Sequence, residues 1–387
     1  MTVGDAADMT EGPGTAAVST DERLARAAWS RIAEPGDVTA SRLVAARGAV
    51  QALADVAAAA HPGLARFLPR LEQLEGQRDL DVATRLGARV ICPGDAQWPS
   101  GLDDLDCPPF CLWVRGEVDL AEVSTRSVAV VGARSATAYG EMVATEMAAG
   151  LGERGFTVVS GAAFGIDAAA HRGALATGAV TLAVLAGGVD RPYPSAHARL
   201  IDRIRDVGAV VSEVPPGSAP TRPRFLQRNR MIATMTGGTV VVEAGLRSGS
   251  LNTARTAAEH QRVVACVPGP VTSMMSAGCH QAVRDGIAVL VTDAAEAAEA
   301  IGRLGHDLAP RLRGPERPGD DLDETATRTL AALPVRRGVT VARLTVVAGL
   351  PTATVVGVLG RLELAGLAER DGQGWRQGPA ARVRRHG

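Results

Sequence analysis

The spacing of apolar positions changes twice along the chain. From Asp21 to about Leu86 it is helical: Leu24, Ala27, Ala28, Trp29 and Ile32, then Ser41 to Ala60, then Leu64 to Leu74. Pro35-Gly36 and His61-Pro62-Gly63 punctuate these runs. Short β-branched runs follow. Residues 88–92 and 110–114 flank a Pro-rich connection, and further strand-like runs recur at 127–132, 156–160, 180–185, 209–213, 239–243, 262–267 and 287–291. Helical segments separate most of them. Strands that are apolar at every position, rather than at alternate ones, predict a sheet covered on both faces. The expected fold class is therefore α/β: an extended Rossmann-like, doubly wound, mostly parallel sheet behind an N-terminal helical domain.

The helical period returns near the C-terminus. Asp323 to Leu333, Thr340 to Ala348 and Thr352 to Ala365 read as three helices, with a turn at Gly349-Leu350-Pro351. Leu367 to Trp375 reads as a hairpin about Asp371 to Gly374, which completes a winged helix-turn-helix. Its third helix carries Thr352, Thr354, Arg361 and Glu363, weakly basic for a major-groove reader, so contacts to DNA and to protein both stay open. The expected plan is a disordered leader (1–20), a small SAM/HhH-like helical domain (21–87), the sheet domain (88–305), a linker (306–321), the winged helix (322–378) and a basic tail (379–387).

Composition narrows this modestly. The 387-residue chain has a formal charge of −1, so global charge implies no partner. It contains no lysine, so every fixed side-chain cation is arginine, the residue suited to bidentate phosphate contacts. Five cysteines (92, 107, 111, 266, 279) are irregularly spaced without a Cys-x-x-Cys pair, which argues against a zinc set and for reduced thiols. No basic-then-apolar leader and no membrane-length apolar run is present, so a soluble, cytoplasmic protein without metal, cofactor or membrane partner is expected.

The candidate chemistry lies in turns at strand ends, where open α/β sheets bind ligands. The first reads Gly132-Ala133-Arg134-Ser135-Ala136-Thr137, with Arg134 where a dinucleotide fingerprint needs its second glycine. The next strand ends in Ser160-Gly161, not in the acid that would hold a ribose, so a nicotinamide cofactor is disfavoured. Arg134 beside a helix start instead offers a fork to phosphate, unless a nearby carboxylate claims it. Gly165 lies in the second turn. Residues 221–230 (Thr-Arg-Pro-Arg-Phe-Leu-Gln-Arg-Asn-Arg) form an arginine track with Phe225 interleaved and no acid. Arginines on phosphates and a ring on a base is how single-stranded nucleic acid is held; the alternative is Phe225 in the core with the arginines solvating a helix start. Glu243 ends a strand before Ser248-Gly249-Ser250, whose small residues free backbone N–H groups for an anion. The expected strand-binding residues are Gly132, Arg134, Ser135, Ser160, Gly161, Gly165, Arg224, Phe225, Arg228, Asn229, Arg230, Ser248, Gly249 and Ser250. For Asp167 and His171, four apart on one helix, a helix cap and a packed imidazole are favoured over catalysis. Neither a nucleophile elbow nor a Walker A sequence occurs.

Several motifs together resemble the DNA-processing protein A (DprA/Smf) family: Gly132-x-Arg134-x4-Tyr139-Gly140, Ser160-Gly-x-Ala-x-Gly165-Ile166-Asp167-x3-His171, Gly188-x-Asp190-x2-Tyr193-Pro194, Ser212-Glu213, Phe225-x2-Arg228-Asn229-Arg230, Glu243-x4-Ser248-Gly249-Ser250-Leu251-x-Thr253-Ala254 and Pro268-Gly269. The likeness runs from about residue 90 to 302. It implies a protein that binds and protects incoming single-stranded DNA without a catalytic step. It also implies loading of the RecA recombinase during natural transformation, and assembly as a homodimer. By the same resemblance Arg134 anchors a phosphate and Phe225 stacks on a base, with Arg228 and Arg230 flanking it and Ser248 to Ser250 at the rim. The sequence departs from the family pattern at Ala133, at Ala162-Ala163 and in its lack of lysine. Two other classes compete. A nucleotide-cleaving Rossmann enzyme would need a Pro-Gly-Gly-x-Gly-Thr-x-x-Glu turn, and that order is missing. A transcription factor would use the winged helix for duplex DNA and the sheet as a ligand sensor.

Overall fold

The computed structural model of the protein describes residues 18–75, 77–310 and 321–382. Residues 1–17 of the expected leader, 311–320 of the expected linker and 383–387 of the expected tail lie outside the described residues. The chain divides into two units, the first ending at Ala309.

The first unit begins with α1 (Thr20–Ile32), α2 (Val38–Arg47), α3 (Ala49–Ala57), α4 (Leu68–Glu72) and α5 (Arg78–Arg85). The single helix expected from Ser41 to Ala60 is two helices. Gly48 sits at φ +76°, outside the helical region, and the chain turns there. That turn brings Ala52 and Val56 onto Trp29, which is fully buried. The Trp29 indole N–H donates to the Ala49 carbonyl at 3.1 Å, and its ring meets Phe67 and Phe110 at centroid distances of 5.6 and 5.7 Å.

Nine strands form one sheet: β1 (Ala88–Ile91), β2 (Leu112–Arg115), β3 (Ser127–Val131), β4 (Thr157–Ser160), β5 (Thr181–Leu185), β6 (Ala209–Ser212), β7 (Gly238–Val241), β8 (Val263–Cys266) and β9 (Val289–Leu290), in the order β1-β2-β6-β5-β4-β3-β7-β8-β9. Strands β3 to β9 are parallel, whereas β1 and β2 are antiparallel. The two early strands, expected on either side of a Pro-rich connection that joins the helical domain to the sheet, extend the sheet itself.

The intervening helices are α6 (Leu120–Thr125), α7 (Ala138–Glu153), α8 (Ile166–Ala176), α9 (Ala198–Val207), α10 (Arg222–Thr234), α11 (Gly249–Glu259), α12 (Ala277–Arg284) and α13 (Ala294–Ile301). Alternate residues of a strand face opposite layers. Ala129 and Val131 of β3 share a core with Met231 and Ile232 of α10 and Ala257 of α11. Val128 and Val130 share the other with Met147 and Leu151 of α7 and Ala170 of α8. Both faces are dry, which is why these strands lack polar alternation. From β3 the chain continues to β4 on one side, while β7 pairs with its other side, so the switch point lies between β3 and β7.

The second unit holds α14 (Glu324–Ala332), α15 (Val341–Ala348), α16 (Thr352–Leu364) and the hairpin β10 (Ala368–Asp371) with β11 (Gly374–Gln377). Asp323 caps α14, and Gly349 at φ +60° ends α15 in the left-handed region. Residues Pro379–Arg382 form a short helical turn. Ala381 is buried in this unit's core and the Arg382 guanidinium holds the Gln377 carbonyl, so these four residues belong to the unit rather than to a tail. No single helix among the described residues is long and apolar enough to cross a membrane.

Candidate functional site

Three turns at the switch point are tied together by backbone. The Ala133 N–H after β3 donates to the Glu243 carbonyl after β7 at 2.7 Å. The Ile166 N–H after β4 donates to the Ala133 carbonyl at 3.2 Å. Gly165 permits this approach: it stands at φ +71°, and a Cβ there would overlap the Ala133 and Arg134 carbonyl oxygens.

These turns and α10 enclose an open cavity of about 480 Å3. Gly132, Arg134, Ser135, Arg228, Asn229, Ser248, Gly249 and Ser250 line it, together with Ala163, Asp167 and Arg247. Arg134 is exposed, and neither it nor Arg247 forms an ion pair among the described residues. The carboxylate alternative for Arg134 is therefore not what the fold builds. Its guanidinium carbon lies 4.8 Å from the centre of the half-buried Phe225 ring, within cation–π range. Phe225 is not a core plug; it meets Tyr193 at a centroid distance of 5.4 Å on the rim.

Arg228 sits deeper. It is 5 % exposed, and its guanidinium donates to the Val184 carbonyl while Nε has no protein partner. Gly161 makes its seat, because a Cβ there would overlap the guanidinium. Burial lowers the Arg228 pKa to about 10, against the raising effect of Asp167, so it remains a cation at neutral pH. Asp167 accepts from the Gly161 and Ala163 N–H groups at 3.2 and 3.4 Å, and burial raises its pKa. It thus braces the turn from within the first turn of α8 and is not the expected helix cap: the N-cap position is Gly165, and no side chain caps the helix there. With Asp167 ionised, the lining carries three guanidinium cations and one carboxylate. Ser248 caps α11 by accepting from the Ser250 N–H at 3.3 Å, and their hydroxyls pair at 2.7 Å. The Asn229 amide donates to the Gly249 carbonyl at 3.3 Å and joins α10 to that cap.

Four expectations need correction. The start of α7 is not open to an anion, because the Thr137 N–H and hydroxyl both donate to the buried Glu243 carboxylate at 2.9 and 2.7 Å. Ser160 is fully buried and its hydroxyl donates to the Val130 carbonyl at 2.7 Å, so it braces β4 against β3 instead of lining a rim. Arg224 is held by Glu34 of the helical region through two bonds of 2.9 and 3.1 Å. Arg230 does not flank Phe225; its guanidinium pairs with the buried Glu213 and donates to the Cys107 carbonyl at 2.7 Å. Conversely, Arg247 and Tyr193 join the site without having been singled out. Both stand inside motifs quoted above, but neither follows a strand directly.

His171 is fully buried. The Thr181 hydroxyl donates to the Val158 carbonyl, so His171 Nδ1–H donates to Thr181 at 2.8 Å. Burial lowers its pKa to about 3, which keeps the imidazole neutral and away from solvent. Among the described residues no group of three His, Cys, Asp or Glu side chains is arranged to hold a metal.

Comparison with known proteins gives a consistent result. Residues 89–302 match the model of the family described as DNA recombination-mediator protein A. A putative DNA processing protein DprA from Mycobacterium tuberculosis is 46% identical over 375 residues, spanning 90% of this chain and 93% of that one. The DNA processing protein DprA of Streptococcus pneumoniae is 40% identical over 198 residues, 51% of this chain and 69% of its own. The X-ray structure of the Streptococcus pneumoniae protein aligns with a TM-score of 0.63 at 31% identity, covering 74% of this chain and 99% of that one.

Proposed function

We propose a function that proceeds from one fact: the chain belongs to the DNA recombination-mediator protein A family. It acts in DNA processing as a holder of single-stranded DNA. The strand lies across the cavity at the switch point, with phosphates on Arg134 and Arg247, a base on Phe225, and Arg228 beneath as a fixed cation. It shields incoming strands in the cytoplasm and passes them to RecA as a homodimer, with no catalytic step. One observation carries this reading: an exposed guanidinium without a carboxylate partner lies over a half-exposed aromatic ring at the mouth of a cavity lined by two further arginines. A phosphodiester strand supplies both an anion and a flat base at that spacing.

The second unit is read as a winged helix. Arg361 of its third helix is held by Asp323 at 2.8 Å, so strand holding is assigned to the first unit. The test is a gel shift with single-stranded and duplex oligonucleotides of one sequence, with and without RecA. Preferential retention of the single strand, weakening steeply with salt, and faster RecA filament growth on that strand are expected. Equal retention of duplex, or release of free base from added nucleotides, would overturn the reading.

A further inference from the structure

All four tryptophans are buried, as are Phe67, Phe110 and Phe156. Of the four remaining aromatic residues, Tyr139 spends its hydroxyl on the Pro268 carbonyl, and the other three gather near the cavity mouth. Phe164 and Tyr193 are each 49% exposed. Neither lines the cavity. The loop between β5 and α9 carries Tyr193 and His197, and each ring meets an aromatic from a different cavity-forming segment. Tyr193 meets Phe225 of α10, and His197 meets Phe164 of the turn after β4 at a centroid distance of 4.7 Å, edge to face. The His197 Nδ1–H donates to the Ala162 carbonyl at 3.0 Å, which fixes that ring. Tyr193 and His197 are four positions apart in sequence, so their backbones are at most about 14 Å apart. Arg191 and Arg199 flank the loop, exposed and outside every ion pair among the described residues. The neighbouring Asp190 is turned away to the Gly217 N–H at 2.8 Å.

Exposed rings beside unpaired arginines, continuous with the Phe225 rim, form a surface for stacked bases and a charged backbone. We infer that Phe164 and His197 form a second base-stacking platform for single-stranded nucleic acid, with Tyr193 as the step from Phe225 onto it. The inference rests on the strand-holding reading above and adds to it a direction: the strand leaves the cavity across the β5–α9 loop.

The test is fluorescence anisotropy with labelled oligothymidylates of about 4 and about 16 nucleotides, the range over which comparable sites fill. In the full-length protein, Phe164→Leu combined with His197→Gln should weaken the long strand about tenfold, or about 1.4 kcal/mol, and leave the short one unchanged. Phe164→Trp should retain long-strand binding. Equal affinity of the double variant and the parent for the long strand overturns the platform, as does an equal loss on both lengths. Arg134→Glu separates the two ideas, because its loss on both lengths with no effect of the double variant leaves strand holding intact and sinks only the extension. A parent protein that holds neither length sinks both.

Discussion

The Arg134 guanidinium and the Phe225 ring, 91 residues apart in sequence, stand 4.8 Å apart across the mouth of the cavity. Arg134→Glu should abolish most single-strand binding without unfolding the protein, since the side chain is exposed and makes no hydrogen bond among the described residues. Arg134→Ala should bind weakly and lower the slope of log affinity against log salt by about 0.7, the share of one phosphate contact on a single strand. Anisotropy titrations at three salt concentrations measure both.

Arg224 makes the opposite case. Because Glu34 already holds it, Arg224→Ala should leave strand affinity within about twofold and cost at most about 1 kcal/mol of stability, as partly exposed ion pairs do. Titration beside urea unfolding checks this. A loss comparable to that of Arg134→Ala would show that the pair opens for DNA.

Gly161→Ala should disturb the Arg228 seat. The added methyl overlaps a buried guanidinium, so a loss of about 2 kcal/mol or more in stability is expected, with weaker strand binding. Thermal unfolding and anisotropy on one preparation report both effects.

His171 gives the protein an acid-sensitive core. Its folded pKa, lowered by burial from 6.5 to about 3, lies below that of the unfolded chain. The unfolded state therefore takes up the proton first, and the stability is fully present above about pH 6.5 and lost as pH falls toward 3. The expected slope is about 1.4 kcal/mol per pH unit. Urea midpoints at pH 7 and 5 should converge in His171→Gln relative to the parent. Parallel shifts in the two proteins would exclude this imidazole as the source.

The strands were readable because both faces of the sheet are covered, which leaves unbroken apolar runs such as 128–131. The three turns were readable because small residues and Arg134 stand directly after those runs. The side-chain directions of the arginine track were not. Arg224 and Arg230 look no different from Arg228 in sequence, and their fates depend on Glu34, 190 positions away, and Glu213, 17 positions away. An arginine's freedom is decided by carboxylates that folding delivers, which local composition does not reveal. The break at Gly48 was hidden for a related reason: the apolar spacing continues through it, and only the packing against Trp29 demands the turn.

Glu243 reaches across from β7 to the first turn of α7 and takes the donors that a pyrophosphate would otherwise use. The protein carries its own permanent occupant for the seat that gives this fold its usual cofactors. Millimolar pools of adenine dinucleotides should therefore compete poorly with a strand, and occupancy should follow the length of DNA on offer rather than the metabolic state of the cell.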